Sequence, residues 1–176
     1  MLKYYLFLYL LLFLIQTYAQ STVIAKNGFE DSNSWPIESF STPPCTIGDD
    51  TWDYTETLAD LEPSEGQAFW GIQDLNGNCG SSNFEYIDFG EVNLSNWIDV
   101  HLSFEIQIQG FDNGDDLKYQ LWLNDMAQPE VILIDGNSNL STDGWERINI
   151  SIPNSTSKLK LRISVKQNGS DIAGID

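Results

Sequence analysis

Two acidic loops carry the side chains that a hard cation prefers. The first places Asp74, Asn76 and Asn78 at alternate positions, and the second contains Asp112 and Asp115. Calcium takes six to eight oxygen ligands from carboxylates, amides and carbonyls, so either loop could contribute to a structural calcium site. Neither loop shows the twelve-residue EF-hand pattern that ends in Glu. Asn, Asp and Gly also build ordinary turns, so a turn without metal remains open for each loop.

Two of the six tryptophans share a predicted strand face with amide and charged side chains. The apolar faces of sugar rings stack on indole, and their hydroxyls need polar partners close by. The alternative is that a loop or a neighbouring domain covers each indole. We predict a saccharide-binding set from these two strands: Trp122 with Lys118 and Gln120, and Trp145 with Arg147 and Asn149.

Signatures of catalysis are missing from the sequence. There is no G-x-S-x-G, H-E-x-x-H, P-loop or G-x-G-x-x-G pattern. The single histidine, His101, falls on the polar side of a predicted strand, which indicates a surface residue and not a general base. Carboxylates are numerous enough for a paired-carboxylate glycosidase, but they cluster in turns. The sequence predicts no catalysis, although a catalytic domain beyond Asp176 stays open.

The charge of the chain excludes two classes of partner. The 176 residues contain 26 Asp and Glu against 8 Lys and Arg, a net charge of -18. Nucleic acids and anionic membranes need a basic surface, so neither is expected as a partner. Two predicted strands hold most of the basic residues, and we expect them to form one stripe: Arg147, Lys158, Lys160, Arg162 and Lys166. Such a stripe would dock an acidic polysaccharide or protein, or protect a sheet edge.

The first nineteen residues have the pattern of a secretory signal peptide. Lys3 precedes the apolar run 6–15, which is too short to span a membrane, and Thr17-Tyr18-Ala19 fits a cleavage site. We therefore predict a secreted protein whose residues 20–176 form a single module. Export to an oxidising compartment favours a disulfide between Cys45 and Cys79, the only cysteines.

Residues 20–176 alternate between apolar and polar side chains with a period of two. The clearest segment is 100–109, where Val100, Leu102, Phe104, Ile106 and Ile108 share one face. Turn signals separate it from further predicted strands at 23–29, 67–72, 84–89, 117–123, 131–135, 146–152 and 158–166. Residues 36–65 look long and irregular. We predict an all-β fold, a two-sheet antiparallel β-sandwich of about eight strands with jelly-roll-like order.

Several short motifs resemble a known group of modules: Gly28-Phe29-Glu30-Asp31 with Trp35, Gly66-Gln67-Ala68-Phe69-Trp70-Gly71, Phe84-Glu85-Tyr86-Ile87, and Asp171-Ile172-Ala173-Gly174-Ile175-Asp176. Together they resemble the secreted jelly-roll accessory domains of Bacteroidetes extracellular proteins, which are similar to carbohydrate-binding modules and MAM-type domains. The resemblance implies a structural calcium near the sandwich edge, with Glu30 and Asp176 as ligands. It also implies a last strand beyond Asp176, and hence a truncated chain.

These observations predict a non-catalytic secreted module for binding or adhesion, with a polysaccharide or another cell-surface or matrix component as the ligand and calcium as a structural ion. Two alternatives stay open. The module could be the N-terminal accessory domain of a larger secreted hydrolase or nuclease, or a structural protein of surface assembly.

Overall fold

The computed structural model describes residues 21–30 and 34–176, and in these residues it contains twelve β-strands and no helix. The predicted signal peptide, residues 1–19, lies outside this range. The strands are β1 (Ile37–Phe40), β2 (Cys45–Ile47), β3 (Asp50–Thr55), β4 (Phe69–Gln73), β5 (Glu85–Asn93), β6 (His101–Gln109), β7 (Asp116–Leu123), β8 (Met126–Ala127), β9 (Val131–Asp135), β10 (Glu146–Ser151), β11 (Lys158–Lys166) and β12 (Ile172–Ile175).

The strands form two antiparallel sheets of six strands each, which confirms the predicted β-sandwich. Sheet A has the order β1-β5-β11-β7-β8, with β9 also paired to β7. Sheet B has the order β10-β6-β12-β4-β3-β2. Neighbouring strands are mostly distant in sequence, as expected when consecutive strands cross between two sheets.

The period-two pattern places the core between the sheets. In β6 the apolar residues Leu102, Phe104, Ile106 and Ile108 are at most 8% exposed, whereas the intervening side chains reach the surface. In β11 the residues Leu159, Leu161, Ile163 and Val165 are buried in the same way. At about 25 cal/mol per Å² of buried apolar area, this shared layer is the main source of stability.

The segment 23–29 was predicted as a strand, and this prediction is wrong. The carbonyl of Lys26 accepts hydrogen bonds from the backbone N–H groups of Ser34 and Trp35, both at 2.9 Å. Phe29 adopts a φ of 60°, outside the range of a strand. The backbone therefore closes a local turn instead of pairing with a sheet, although Phe29 is buried.

The segment 36–65, predicted as irregular, contains the three strands β1, β2 and β3. Two of them are short edge strands: β1 has four residues and pairs only with β5, and β2 has three and pairs only with β3. Short edge strands do not develop the alternation that marks a half-buried strand, so the sequence gives little indication of them.

The predicted basic stripe does not exist. Arg147 lies in β10, at the edge of sheet B, whereas the four other residues lie in β11 of sheet A. Protection of a sheet edge does not explain the β11 cations either, because β11 lies between β5 and β7 in the interior of its sheet. Lys158, Lys160 and Arg162 instead form ion pairs with carboxylates on neighbouring segments.

The predicted disulfide between Cys45 and Cys79 is present. It joins the edge strand β2 to the loop after β4, and Cys79 is fully buried. Within residues 21–30 and 34–176 no helix is long and apolar enough to cross a membrane.

Candidate functional site

The outer face of sheet A gathers aromatic and charged side chains from its three central strands. Arg162 of β11 lies between two aromatic rings, with its guanidinium carbon 3.8 Å from the centre of the Tyr86 ring and 5.5 Å from that of Trp122. The register explains the arrangement, since Arg162 lies opposite Asp88 of β5 and opposite Gln120 of β7. Trp122 is half-buried and keeps part of its indole at the surface.

Asp88 fixes the position of Arg162. The guanidinium donates from Nε to Oδ1 at 2.6 Å and from Nη2 to Oδ2 at 2.7 Å. The hydrogen bonds to Asp88 raise the pKa of Arg162 above its ordinary value, although burial acts in the opposite direction. A guanidinium held by two parallel hydrogen bonds and stacked on an aromatic ring loses little further freedom when a ligand binds.

A shallow depression of about 220 Å³ lies beside Trp122 on this face. Its polar wall contains charges of both signs, and Lys160 Nζ is 2.9 Å from Glu38 Oε2. The depression therefore combines an aromatic surface with preorganised hydrogen-bonding groups and little net charge. It is lined by Glu38, Asp88, Phe89, Trp122, Asp125, Lys160, Leu161 and Arg162.

Lys118 and Gln120, predicted as ligand-binding residues with Trp122, lie on the same face but already have partners. Lys118 Nζ is 2.8 Å from Glu130 Oε2 and 3.8 Å from the centre of the Phe84 ring. Gln120 Nε2 donates to the carbonyl of Gln128 at 2.8 Å. These contacts anchor the segment after β8 and leave Gln120 Oε1 as an acceptor for a ligand.

Trp145, Arg147 and Asn149 lie on the opposite side of the sandwich, at sheet B, so they do not share a site with Trp122. Trp145 packs edge-on against Phe69, with ring centres 5.6 Å apart, and its Nε1 donates to the carbonyl of Glu62 at 2.8 Å. A Cβ atom on Gly174 would lie 2.6 Å from the indole. The structure thus places Trp145 over the sheet and under a loop.

Asp112 and Asp115 come together with a third residue, Asp171, and one carboxylate oxygen of each lies within 4.8 Å of the others. Asp115 is fully buried and accepts hydrogen bonds at 2.8 Å from the backbone N–H groups of Asp112 and Asn168. A Cβ on Gly136 would collide with the carbonyl oxygens of Asp112 and Asp115, so only glycine fits there. Three clustered carboxylates could bind a metal ion such as calcium.

The electrostatics of this cluster favour a cation. Burial, the hydrogen bond with Asp115 and the negative charges of Asp115 and Asp112 together raise the pKa of Asp171 to about 6. A carboxyl that resists ionisation because of neighbouring carboxylates gains when a cation replaces its proton.

Glu30 and Asp176, the ligands implied by the resemblance, both bind the segment between β3 and β4. Glu30 Oε1 accepts from the N–H of Gln67 at 2.9 Å, and Asp176 Oδ2 accepts from Ser64 Oγ and the N–H of Glu65 at 2.9 Å. Burial raises the pKa of Asp176, and the charge of Glu30 adds to the shift. The charges of the two carboxylates therefore interact, and their role as calcium ligands stays a prediction.

Hydrogen bonds and the disulfide connect the loop with Asp74, Asn76 and Asn78 to other segments of the sandwich. Asp50, a buried carboxylate in β3, accepts hydrogen bonds from the backbone and side-chain N–H groups of Asn78. Leu75 is buried and donates from its N–H to Gln167 Oε1 at 2.9 Å. Together with the disulfide at Cys79, these contacts hold the loop in place, and its role as a calcium ligand stays a prediction.

No family model matches the chain, and no curated protein matches it. Solved structures with a similar arrangement of strands include a family 61 carbohydrate-binding module in complex with β-1,4-galactotriose, 13% identical over 70% of this chain and 77% of that chain, with a TM-score of 0.43. A family 16 carbohydrate-binding module is 11% identical, covers 88% of this chain and 96% of that one, and has a TM-score of 0.41. The K3 adhesin domain of Lys-gingipain from Porphyromonas gingivalis is 13% identical over 63% and 71%, with a TM-score of 0.35.

Sequence reasoning missed three residues of these sites. Tyr86 and Asp88 have the strand parity of an outward face, so the alternation in β5 could have placed them on a polar face, although not beside Trp122. Asp171 offered no such signal, because it lies more than fifty residues from Asp115 and only the approach of β7 to the start of β12 brings the two together.

Proposed function

We propose that this protein is a non-catalytic glycan-binding module and that the outer face of sheet A binds the sugar. The arrangement of Trp122, Arg162 and Tyr86 carries the proposal. A pyranose ring stacks on the exposed part of the Trp122 indole, and its hydroxyls hydrogen-bond to Arg162 and the carboxylates around it. The depression is shallow and open, which suits a segment of a polysaccharide chain better than an enclosed small molecule.

The charge balance of the face points to a neutral glycan. Lys118, Lys160 and Arg162 each lie within 3 Å of a carboxylate oxygen, so no strong positive potential remains for a uronic acid or sulfate group. Paired charges act in neutral sugar recognition as fixed donors and acceptors. We therefore place neutral polysaccharides ahead of acidic ones as ligands.

The deciding experiment compares two tryptophan variants against a panel of neutral and acidic polysaccharides by affinity electrophoresis and calorimetry. Trp122→Ala removes the stacking surface and should weaken binding about 30-fold or more, which corresponds to a loss of about 2 kcal/mol. Trp97→Ala is the matched control, because Trp97 is 40% exposed but lies in the loop between β5 and β6, away from this face. Equal losses in both variants, or tighter binding of acidic chains, would contradict the proposal.

We also propose that Asp112, Asp115 and Asp171 bind a structural calcium ion, with Glu30 and Asp176 as a second candidate pair. The clustered oxygens and the raised pKa of Asp171 support the first site. Calcium should raise the melting temperature of the protein, and Asp115→Asn should reduce that rise more than Asp176→Asn if the first site dominates. An unchanged melting temperature with millimolar calcium would remove both sites.

We also propose that the protein is secreted after its signal peptide is cleaved. The disulfide between Cys45 and Cys79 supports it, because such bonds persist in oxidising compartments. Mass spectrometry of the protein recovered from the culture medium should show an N-terminus at Gln20.

A further inference from the structure

Asparagine is followed directly by glycine at four places in the chain: Asn27, Asn76, Asn113 and Asn168. In such a pair the backbone nitrogen of the glycine can attack the side-chain amide carbon of the asparagine, because glycine has no Cβ to hinder the approach. This reaction is one reason why asparagine counts among the thermolabile residues. The fold holds the four pairs in different ways, so their reactivities should differ.

Hydrogen bonds hold both ends of the Asn27 side chain. Its Nδ2 donates to the carbonyl of Trp35 at 2.8 Å, and its Oδ1 accepts from the N–H of Phe29 at 2.9 Å. Gly28, whose nitrogen would attack, is buried. Because the Asn27 amide must rotate toward Gly28 before it can react, both hydrogen bonds would have to break first.

Other hydrogen bonds restrain the pairs at Asn76 and Asn168. In the first pair the attacking group, the N–H of Gly77, donates to the carbonyl of Asp74 at 3.1 Å. In the second pair Asn168 donates from Nδ2 to Oδ1 of Asp115 at 2.8 Å, and this carboxylate is fully buried. The reaction at either pair therefore requires that a hydrogen bond to one of the reacting groups breaks first.

The pair Asn113 and Gly114 lacks such a restraint. Asn113 is exposed, and within residues 21–30 and 34–176 neither its side-chain amide nor the N–H of Gly114 forms a hydrogen bond. The two residues occupy the centre of a turn that is closed by a hydrogen bond from the N–H of Asp115 to the carbonyl of Asp112, at 3.0 Å. The ends of this turn are thus fixed, whereas the reacting groups at its tip can approach each other without the loss of a hydrogen bond.

We propose that the fold makes Asn113 the preferred site of spontaneous deamidation in this protein. Gly114 N forms a bond to Cγ of Asn113, the bond from Cγ to Nδ2 breaks, and the amide leaves as ammonia with the proton of the Gly114 N–H. The resulting succinimide ring takes up one water molecule at either of its two carbonyl carbons. Opening at Cγ gives an aspartyl residue, and opening at the main-chain carbonyl gives an isoaspartyl residue, whose main chain continues through Cβ and Cγ.

The isoaspartyl product changes the turn that contains it, because its main chain is one atom longer. Two hydrogen bonds join the ends of this turn: the N–H of Asp115 donates to the carbonyl of Asp112 at 3.0 Å, and the N–H of Asp112 donates to Asp115 Oδ2 at 2.8 Å. Both depend on the present spacing of the two residues, so the longer chain should weaken them. The aspartyl product keeps the original chain length and should preserve them.

Peptide mapping by mass spectrometry tests the site after incubation of the purified protein at mildly alkaline pH. The deamidated fraction at Asn113 should exceed that at each of the other three pairs about fivefold or more, the factor expected when a hydrogen bond must break before the reaction. In concentrated urea the four pairs should react at similar rates, because each asparagine is followed by glycine and the fold no longer restrains any of them. Faster reaction at another pair in the folded protein, or an equal lead of Asn113 in urea, would overturn the proposal.

Three variants complete the test. Asn113→Gln keeps the amide but requires a larger, less favourable ring, so it should remove most of the acidic forms that ion-exchange chromatography separates from the incubated protein. Asn76→Gln, the matched control at another exposed asparagine, should leave these forms unchanged, and equal effects of both variants would contradict the assignment to Asn113. Isoaspartyl protein isolated after incubation should melt at a lower temperature than Asn113→Asp, which carries the same charge. Equal melting temperatures would overturn the effect on the turn.

Discussion

Arg162 and Asp88 form a bidentate ion pair across neighbouring strands of sheet A, and both N···O distances are below 2.8 Å. The pair is partly shielded, since the side chains are 31% and 20% exposed. The guanidinium carbon lies 3.8 Å from the centre of the Tyr86 ring and 5.5 Å from that of Trp122. The ion pair thus holds the charge of Arg162 beside the aromatic side chains of this face.

Replacement of Arg162 by Lys should weaken glycan binding about tenfold while the fold remains intact. A lysine keeps the charge but loses the second hydrogen bond to Asp88 and the stacking on Tyr86. Calorimetry with a bound polysaccharide measures the affinity, and circular dichroism verifies the fold. Lys166→Arg in the same strand is a control with no expected change, so a comparable loss there would argue against a specific role of Arg162.

Trp145→Ala should destabilise the protein by about 2–4 kcal/mol and leave glycan binding unchanged. The indole packs on Phe69 and covers Gly174, so its removal leaves a cavity over sheet B and breaks the hydrogen bond to Glu62. Urea unfolding gives the free energy of unfolding, and the same binding assay as above gives the affinity. A stable variant that no longer binds sugar would instead move the glycan site to sheet B.

In calcium-free buffer the protein should lose stability as the pH rises from about 4 to 6. The pKa of Asp171 is raised in the folded state from 3.8 to about 6, so the folded protein holds a proton that the unfolded chain has already released. The corresponding stabilisation is complete below pH 4 and is lost as the pH passes 6. Melting temperatures measured in EDTA across this range should show the decline.

Asp171→Asn tests the origin of that pH dependence. The amide cannot ionise, so the variant should keep a flatter stability profile between pH 4 and 6 and should respond less to calcium at pH 7. Asp143→Asn is a suitable control, since Asp143 is an exposed aspartate outside the cluster. A variant with the wild-type slope would assign the effect to another group.

The double variant Cys45→Ser, Cys79→Ser should lower the free energy of unfolding by about 2–4 kcal/mol. The bond closes a loop across a sequence separation of 34 residues and fixes the short edge strand β2. Urea unfolding of the oxidised protein, the reduced protein and the variant measures the difference. We expect the reduced wild type to match the variant, and a reduced protein as stable as the oxidised one would contradict this prediction.

Much of the fold follows from local pattern alone. In β6, β7, β10 and β11 the alternation of apolar and polar side chains is sustained, so each strand and its buried face could be predicted. The outward position of Trp122 followed from the alternation of side chains in β7. The disulfide followed from the presence of only two cysteines in the sequence. Strands β1 and β2 could not be found this way, because short edge strands carry little periodic signal.

Only the tertiary structure decided which residues from distant parts of the sequence lie next to each other. The alternation of side chains placed Trp122 and Trp145 on polar strand faces. The order of the strands in the two sheets put these faces on opposite sides of the sandwich. Basic residues of β10 and β11 could not form one stripe because the two strands belong to different sheets. Asp171 joined Asp112 and Asp115 only through the approach of distant loops. Side-chain alternation is a property of one strand, whereas the neighbours of a strand are fixed by how both sheets bury their apolar faces together.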